Sequence, residues 1–218
     1  MRPLLLSAAL AALLAAAGAA QAAPVSKPKP LPSVDNVYWM VDCMIAAGNR
    51  ELEKALSTVP APGGLERHWF KAALGECLKE DRPIPAAYFY KRGALAERFL
   101  YRDFSSIGAA SRRRPAPVFP PVGADYLAKE PKAVSALAML DAASCLVRSN
   151  PQQAYNFFRL KRDSAEERAK VSEMAPALSK CLTKGEPIKL TAAIFRAFLA
   201  EAAYRVAAGQ PEVFEGQT

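Results

Sequence analysis

Apolar residues recur every three or four positions along much of this chain, and no segment shows the sustained alternation expected of a β-strand. The clearest run is a series of apolar residues at intervals of four before Gly209: Ile194, Phe198, Ala202 and Val206. This spacing is typical of one face of a helix that ends at a glycine. The predicted fold class is therefore all-α.

The helical pattern occurs twice in the chain. The stretch ALGECLKEDRPI at residues 73–84 has a counterpart, ALSKCLTKGEPI, at residues 177–188. At an offset of 104, ten of the 25 positions from Ala73 to Glu97 match identical residues in the second half, including Arg92 with Arg196 and Glu97 with Glu201. Self-similarity of this kind indicates an internal duplication.

Each half is predicted to contain four helices: one with the first cysteine, a short one, one with the second cysteine, and a long one after Pro-Ile. Residues 164–167, Ser-Ala-Glu-Glu, form a capping box that opens the third helix of the second half. Asn150 followed by Pro151 predicts the start of a short helix that runs to about Arg159. Pro176 lies inside the predicted third helix, where it either bends the helix or marks its first turn.

Composition divides the chain into six predicted parts. The segment between the halves is rich in Pro, Gly and Ser and lacks a helical stripe, which is typical of a linker. The two units either pack as one pseudo-twofold domain or lie as separate lobes, and packing is favoured because about 70 residues is marginal for an independent core. The parts are a signal peptide (1–22), a Pro-rich tail (23–33), repeat unit 1 (34–103), a Pro/Arg-rich linker (104–130), repeat unit 2 (131–209) and a C-terminal tail (210–218).

The N-terminus has the pattern of a secretory signal peptide, because Arg2 precedes an apolar run rich in Leu and Ala that ends in small residues. Cleavage after Ala22 is favoured, since cleavage after Ala23 would leave Pro24 at the new N-terminus. No later segment has the pattern of a membrane span. We therefore expect a soluble protein that is periplasmic or secreted.

Four cysteines remain after the signal peptide: Cys43, Cys77, Cys145 and Cys181. Export places them in an oxidising compartment, so two structural disulfides are expected. Three connectivities are possible, and the duplication favours Cys43 with Cys77 and Cys145 with Cys181. No zinc-ligand spacing occurs, and the chain has one histidine, His68, so no metal or cofactor is predicted.

The charged residues repeated in both halves are the candidates for chemistry. A glutamate on a helix, Glu97 or Glu201, could act as the general acid of a glycosidase, but no partner carboxylate accompanies either one. The favoured interpretation is structural: Glu201 pairs with Arg205 at i+4, and Arg92, Glu97, Arg196 and Glu201 bridge neighbouring helices inside each unit.

The net charge of +8 and the run Arg112-Arg113-Arg114 suit contact with an anionic surface. The function predicted is that of an exported, non-catalytic helical binding or scaffolding protein. Its partner is expected to be an envelope protein or an anionic polymer rather than nucleic acid. The alternative is a cell-envelope polymer hydrolase that uses Glu97 or Glu201.

Overall fold

The computed structural model describes residues 32–48, 51–56, 58–60, 70–71, 75–78, 83, 87–107, 122–129, 131–182 and 190–209. Within these ranges the protein is all-helical, with no strand, which confirms the predicted fold class. A 3-10 turn covers Gly75–Cys77. The α-helices are α1 (Val34–Ala46), α2 (Glu51–Leu56), α3 (Tyr88–Asp103), α4 (Ala124–Lys129), α5 (Pro131–Ser149), α6 (Pro151–Phe157), α7 (Ala165–Cys181) and α8 (Ala192–Ala207).

The start of α7 shows how local sequence sets a helix end. The Ser164 side chain accepts a hydrogen bond from the backbone N–H of Glu167, as a capping serine does. The Glu167 carboxylate accepts from the N–H of Asp163, one residue before the position that a capping box uses. The predicted box is therefore correct for the serine and displaced by one residue for the glutamate.

Proline and glycine mark other helix boundaries. Pro151 is the first residue of α6, as predicted, and Gly48 follows α1 with a φ of +70° that glycine adopts readily. Pro176 lies within α7, so the alternative that it marks the first turn of that helix is wrong.

The predicted linker is partly helical. Helix α4 occupies residues 124–129, where no helix was expected, and none of its side chains is buried. A helix that buries nothing needs no apolar stripe, and Asp125 in its first turn and Lys129 in its last complement the helix dipole. Phe104 and Ile107, at the start of the predicted linker, lie in the hydrophobic core.

Helices α3 and α8 form the centre of the protein, and they pack on each other more extensively than any other pair among the described helices. Every residue from Arg92 to Glu97 is buried, and so is every residue from Phe195 to Arg205. Helix α1 covers α3 and helix α5 covers α8, within one compact unit that shares a hydrophobic core.

Several predicted features lie outside the described residues: the signal peptide, residues 23–31 of the Pro-rich tail, His68, Arg112–Arg114 and the C-terminal tail. Of the third helix in the first half, the structure describes Phe70 and Lys71 as helical, followed by the 3-10 turn. No helix in the described ranges has the length and apolarity needed to cross a membrane.

Candidate functional site

The repeated arginines and glutamates meet between α3 and α8. Arg92 and Glu97 lie on α3, and Arg196 and Glu201 lie on α8, five positions apart in each helix. Five residues correspond to about 7.5 Å along a helix axis, so each helix carries an arginine and a glutamate at separate heights. All four residues are less than 5% exposed.

Arg92 and Glu201 form the first of two ion pairs between these helices. The Arg92 Nε donates to Glu201 Oε2 at 2.9 Å, and its Nη2 donates to Oε1 at 2.5 Å. Arg205, one turn further along α8, donates to the same Oε1 at 3.3 Å. We call Arg92, Glu201 and Arg205 the Glu201 cluster.

Arg196 and Glu97 form the second pair in the same bidentate manner. The Arg196 Nε donates to Glu97 Oε2 at 2.8 Å, and its Nη2 donates to Oε1 at 2.9 Å. Arg196 Nη1 also donates to Glu167 Oε1 at 2.8 Å, and the Tyr38 hydroxyl donates to Glu97 Oε2 at 2.6 Å. We call Tyr38, Glu97, Glu167 and Arg196 the Glu97 cluster.

Each of these arginines also binds backbone carbonyls near the end of a short helix. Arg92 Nη1 donates to the Ala55 carbonyl at 2.7 Å, near the end of α2. Arg196 Nη2 donates to the Phe158 carbonyl at 2.7 Å, just after α6. Arg205 Nη2 donates to the Leu56 carbonyl at 2.6 Å. Cationic groups are favourable at such carbonyls, which have no partner within their own helix.

Burial and pairing act in opposite directions on the pKa values of the Glu201 cluster. Burial alone would raise the pKa of Glu201, but the charges and hydrogen bonds of Arg92 and Arg205 outweigh it and hold the pKa below its ordinary value. Burial also dominates at Arg205, where it lowers the pKa to about 10 despite the attraction of Glu201. At neutral pH the cluster therefore holds two arginine cations and one carboxylate.

Burial and pairing also oppose each other in the Glu97 cluster. Burial alone would lower the pKa of Arg196, but the hydrogen bond and charge of Glu97 raise it above its ordinary value. Burial, followed by the charge of Glu97, raises the pKa of Tyr38 well above its ordinary value. Tyr38 therefore remains a neutral hydrogen-bond donor at neutral pH.

The repeated residues make contacts both within and between the halves. Glu201 pairs with Arg205 at i+4. Inside each half, Arg92 binds a carbonyl of α2, Glu97 accepts from Tyr38 on α1, and Arg196 pairs with Glu167 on α7. The bidentate pairs of Arg92 with Glu201 and of Arg196 with Glu97 join the two halves and are additional to the bridges expected inside each unit.

Sequence reasoning missed Tyr38 and the second role of Glu167. Glu167 was assigned to helix capping, and its capping bond uses Oε2 while Oε1 receives Arg196. Tyr38 is one of two adjacent aromatic residues in α1, and the sequence of that helix gives no sign of a partner on α3.

Both disulfides are formed, linking Cys43 to Cys77 and Cys145 to Cys181 with Cα–Cα distances of 5.8 Å. This is the connectivity that was favoured on the basis of the predicted duplication. The first bridge joins α1 to the 3-10 turn, and the second joins α5 to the end of α7. Within the described ranges, no three His, Cys, Asp or Glu residues are grouped so that they could hold a metal ion.

A cavity of about 350 Å³ lies beside the Glu97 cluster. It is bounded by the start of α1, by the loop that precedes α7 and the first turn of α7, and by the first turns of α8. We call it the α1–α8 cavity. Its lining residues are Pro32, Ser33, Val34, Asp35, Arg162, Asp163, Glu167, Ala193 and Arg196.

Fold and site together define an all-helical, two-disulfide protein whose central helices are joined by buried ion pairs. Comparison of the chain with protein-family models, with curated proteins and with solved structures found no match.

Proposed function

We propose that this chain is an exported, non-catalytic helical protein that binds or scaffolds a partner. The observation that carries the proposal is the state of Glu97 and Glu201, which are 1% and 4% exposed and are each held by an arginine in a bidentate ion pair. The two repeated glutamates therefore join helices and do not face a substrate. The role that we propose for the helical body is to bind a partner through its surface.

The same contacts weigh against the alternative, a cell-envelope polymer hydrolase that uses one of these glutamates. A general acid must carry a proton and reach its substrate. Glu201 has a lowered pKa and is buried between two arginines. Glu97 accepts three hydrogen bonds, from Tyr38 and Arg196, behind an equally buried surface.

For the architecture, we propose an internal duplication of two disulfide-stapled four-helix units that pack about a pseudo-twofold axis between α3 and α8. A twofold interface is self-complementary, so residue i contacts residue j in both directions. The pairs Arg92 with Glu201 and Arg196 with Glu97 have this reciprocal form at the offset of 104.

Two further contacts support the pseudo-twofold axis. Gly93 and Ala197, which correspond at the same offset, face each other across the helix crossing. Arg92 binds a carbonyl near the end of the short helix α2, and Arg196 binds one just after the short helix α6.

The proposed location is the periplasm or the extracellular space after cleavage behind Ala22. Two disulfides support this location, because disulfides persist in oxidising compartments and are rare in the cytosol. The proposed partner is an envelope protein or an anionic polymer, and Arg112, Arg113 and Arg114 are the candidate contacts. The net charge of +8 supports an anionic partner.

The double variant Glu97→Gln/Glu201→Gln separates the binding protein from the hydrolase. We expect it to unfold at a lower urea concentration and to leave the effect of the protein on purified envelope polymer unchanged. A variant that unfolds like the parent protein but has lost an envelope-degrading activity of the parent would overturn the proposal in favour of the hydrolase.

The binding role is tested by capture from envelope extract on the immobilised protein. The test variant carries Arg112→Ser, Arg113→Ser and Arg114→Ser, and the control has three exposed basic residues replaced by serine: Arg159, Lys161 and Lys180. We expect the same component to be retained by the parent and the control and lost by the test variant. Equal retention by all three proteins would exclude the arginine run as the contact, and retention of nothing would contradict the binding function.

A further inference from the structure

The two halves of the chain are joined by one backbone connection and by contacts that are not covalent. Each disulfide closes within one half, and the two disulfides use all four cysteines of the chain. The polypeptide between residues 34–103 and residues 131–209 is therefore the one covalent link between the halves. Everything else that holds them together lies along the face where α3 meets α8, together with the contacts around it.

The aromatic residues of this face resemble those of a protein–protein interface. Aromatic side chains and arginine are enriched at the centres of such interfaces and carry much of their binding energy. Phe89 on α3 stacks on Phe198 of α8, with ring centroids 5.6 Å apart. Phe99 on α3 lies against Tyr204 of α8, with ring centroids 5.9 Å apart. Each of these ring pairs joins the first half to the second.

The charged contacts across the same face are reciprocal. Arg92 of the first half pairs with Glu201 of the second. Arg196 of the second half pairs with Glu97 of the first. A half on its own would keep one arginine and one glutamate without these partners, beside aromatic rings that the other half no longer covers. The complementary half is therefore the partner that this face fits.

Each half also has contacts of its own that do not cross the face. In the first half, Arg98 on α3 pairs with Asp42 on α1. In the second half, Arg196 on α8 pairs with Glu167 in the first turn of α7. The first disulfide ties α1 to the 3-10 turn, and the second ties α5 to the end of α7. Each half therefore retains links between its own helices when the other half is absent.

We propose that the α3–α8 face is a protein–protein interface that also forms in trans, and that its partner there is the complementary half of a second copy of this chain. Within one chain, the connection gives the halves an effective concentration of about a millimolar, so a chain closes on itself at lower protein concentrations. Pairing in trans is therefore measured after the connection has been cut. The inference goes beyond the proposed binding function, and it rests on the contacts between the halves and not on their origin by duplication.

The test uses the full, oxidised protein with a recognition site for a sequence-specific protease inserted between Ala110 and Ser111, in the predicted linker. After cleavage, we expect both fragments to elute together in size-exclusion chromatography at the volume of the uncut protein, and to separate in urea. The parent protein without the inserted site, treated with the same protease, is the control. Fragments that elute separately without urea would overturn the proposal.

Native mass spectrometry measures exchange between copies. Cleaved protein labelled with heavy nitrogen is mixed with an equal amount of unlabelled cleaved protein, unfolded in urea without a reductant, and refolded. We expect the labelled, the unlabelled and both hybrid complexes in about equal amounts, because the halves of the two copies are chemically identical. The absence of hybrid complexes would overturn pairing in trans.

Two variants on α3 separate the interface from the internal stability of the first half. Arg92→Met removes a pair that crosses the face, and Arg98→Met removes a pair within the first half. We expect Arg92→Met to raise the dissociation constant of the cleaved halves at least about tenfold, and Arg98→Met to raise it less than about fivefold. Equal increases would overturn the assignment of the interface to this face. If Arg92→Met does not fold, the hybrid complexes of the parent sequence still decide the outcome.

Discussion

Arg92 donates to both carboxylate oxygens of Glu201, a residue 109 positions later in the chain, and this buried pair joins the two central helices. A buried ion pair adds little stability over an apolar contact of the same size, because both charges must leave water. Removal of one member is different, because the other charge then stays buried without compensation. We therefore expect the pair to matter more for which face of α3 meets α8 than for the net stability of the fold.

Arg92→Met should lower the free energy of unfolding by about 3–5 kcal/mol, measured by urea denaturation. Glu201 would keep only its longer contacts with Arg205, and the Ala55 carbonyl would lose the bond from Arg92. Arg98→Met is the matched control, because Arg98 pairs with Asp42 at the surface, and we expect a loss of at most about 1 kcal/mol. Equal losses would contradict a special role for the buried pair.

The lowered pKa of Glu201 predicts an acid-sensitive fold. A carboxylate whose pKa is lower in the folded than in the unfolded state stabilises the fold above the unfolded value, here 4.5, and this stabilisation is lost as the pH falls through the folded value. We expect the melting temperature to fall steeply below about pH 4.5 and to fall less steeply in Glu201→Gln. Glu173→Gln, which removes an exposed carboxylate on α7, is the control and should keep the slope of the parent protein. Parallel profiles for the parent and Glu201→Gln would contradict the assignment.

The helices were predictable because their signals are local. Each signal acts within a few residues and is found where the sequence places it. The signals are the period of apolar residues, Ser164, Pro151 and Gly48 after α1. Helix α4 was missed for the complementary reason: a helix with no buried side chain leaves no periodic trace in the sequence.

The pairing of the charged residues depends on how two distant helices are turned toward each other. Identical residues recur at corresponding positions of the two halves: Arg92 with Arg196 and Glu97 with Glu201. Such identity indicates only that the two positions have similar environments. It does not say whether Arg92 reaches its own half or the other one. The involvement of Tyr38 depends in turn on the packing of α1 against α3, which no spacing within α1 encodes.

Gly93→Ala should destabilise the protein by about 1–3 kcal/mol in urea, although alanine favours helices. A Cβ at position 93 would lie 2.6 Å from the Ala197 Cβ and 2.7 Å from its carbonyl oxygen, and backbone atoms cannot rotate aside. Gly123→Ala is the control, because a Cβ there would meet nothing within 4 Å, and we expect no significant loss.

A second substitution sharpens the test of the helix crossing. Ala197→Gly in the Gly93→Ala background removes the Ala197 Cβ but leaves the Ala197 Cα and carbonyl oxygen, which a Cβ at position 93 would also meet. We therefore expect it to recover little of the lost stability, and a second glycine in a helix interior adds a cost of its own. Recovery of most of the lost stability would show that the Ala197 Cβ, and not the backbone of α8, causes the loss.

The two disulfides should contribute similar amounts of stability, because they close loops of similar length, with sequence separations of 34 and 36. In the chain-entropy model, loops of this size correspond to about 3–4 kcal/mol each. We expect Cys43→Ala/Cys77→Ala and Cys145→Ala/Cys181→Ala to lower the free energy of unfolding by nearly equal amounts in urea. Both cysteines of a bridge are replaced together, so that no single thiol remains to form a mixed disulfide.

Peptide mapping without reduction checks the connectivity on which that comparison depends. We expect one linked peptide pair that contains Cys43 and Cys77 and another that contains Cys145 and Cys181. A peptide that joins Cys43 to either cysteine of the second half would contradict both the structure and the duplication argument. With the connectivity established, a markedly larger loss in one variant would mean that its half depends on the bridge for its packing as well as for its chain entropy.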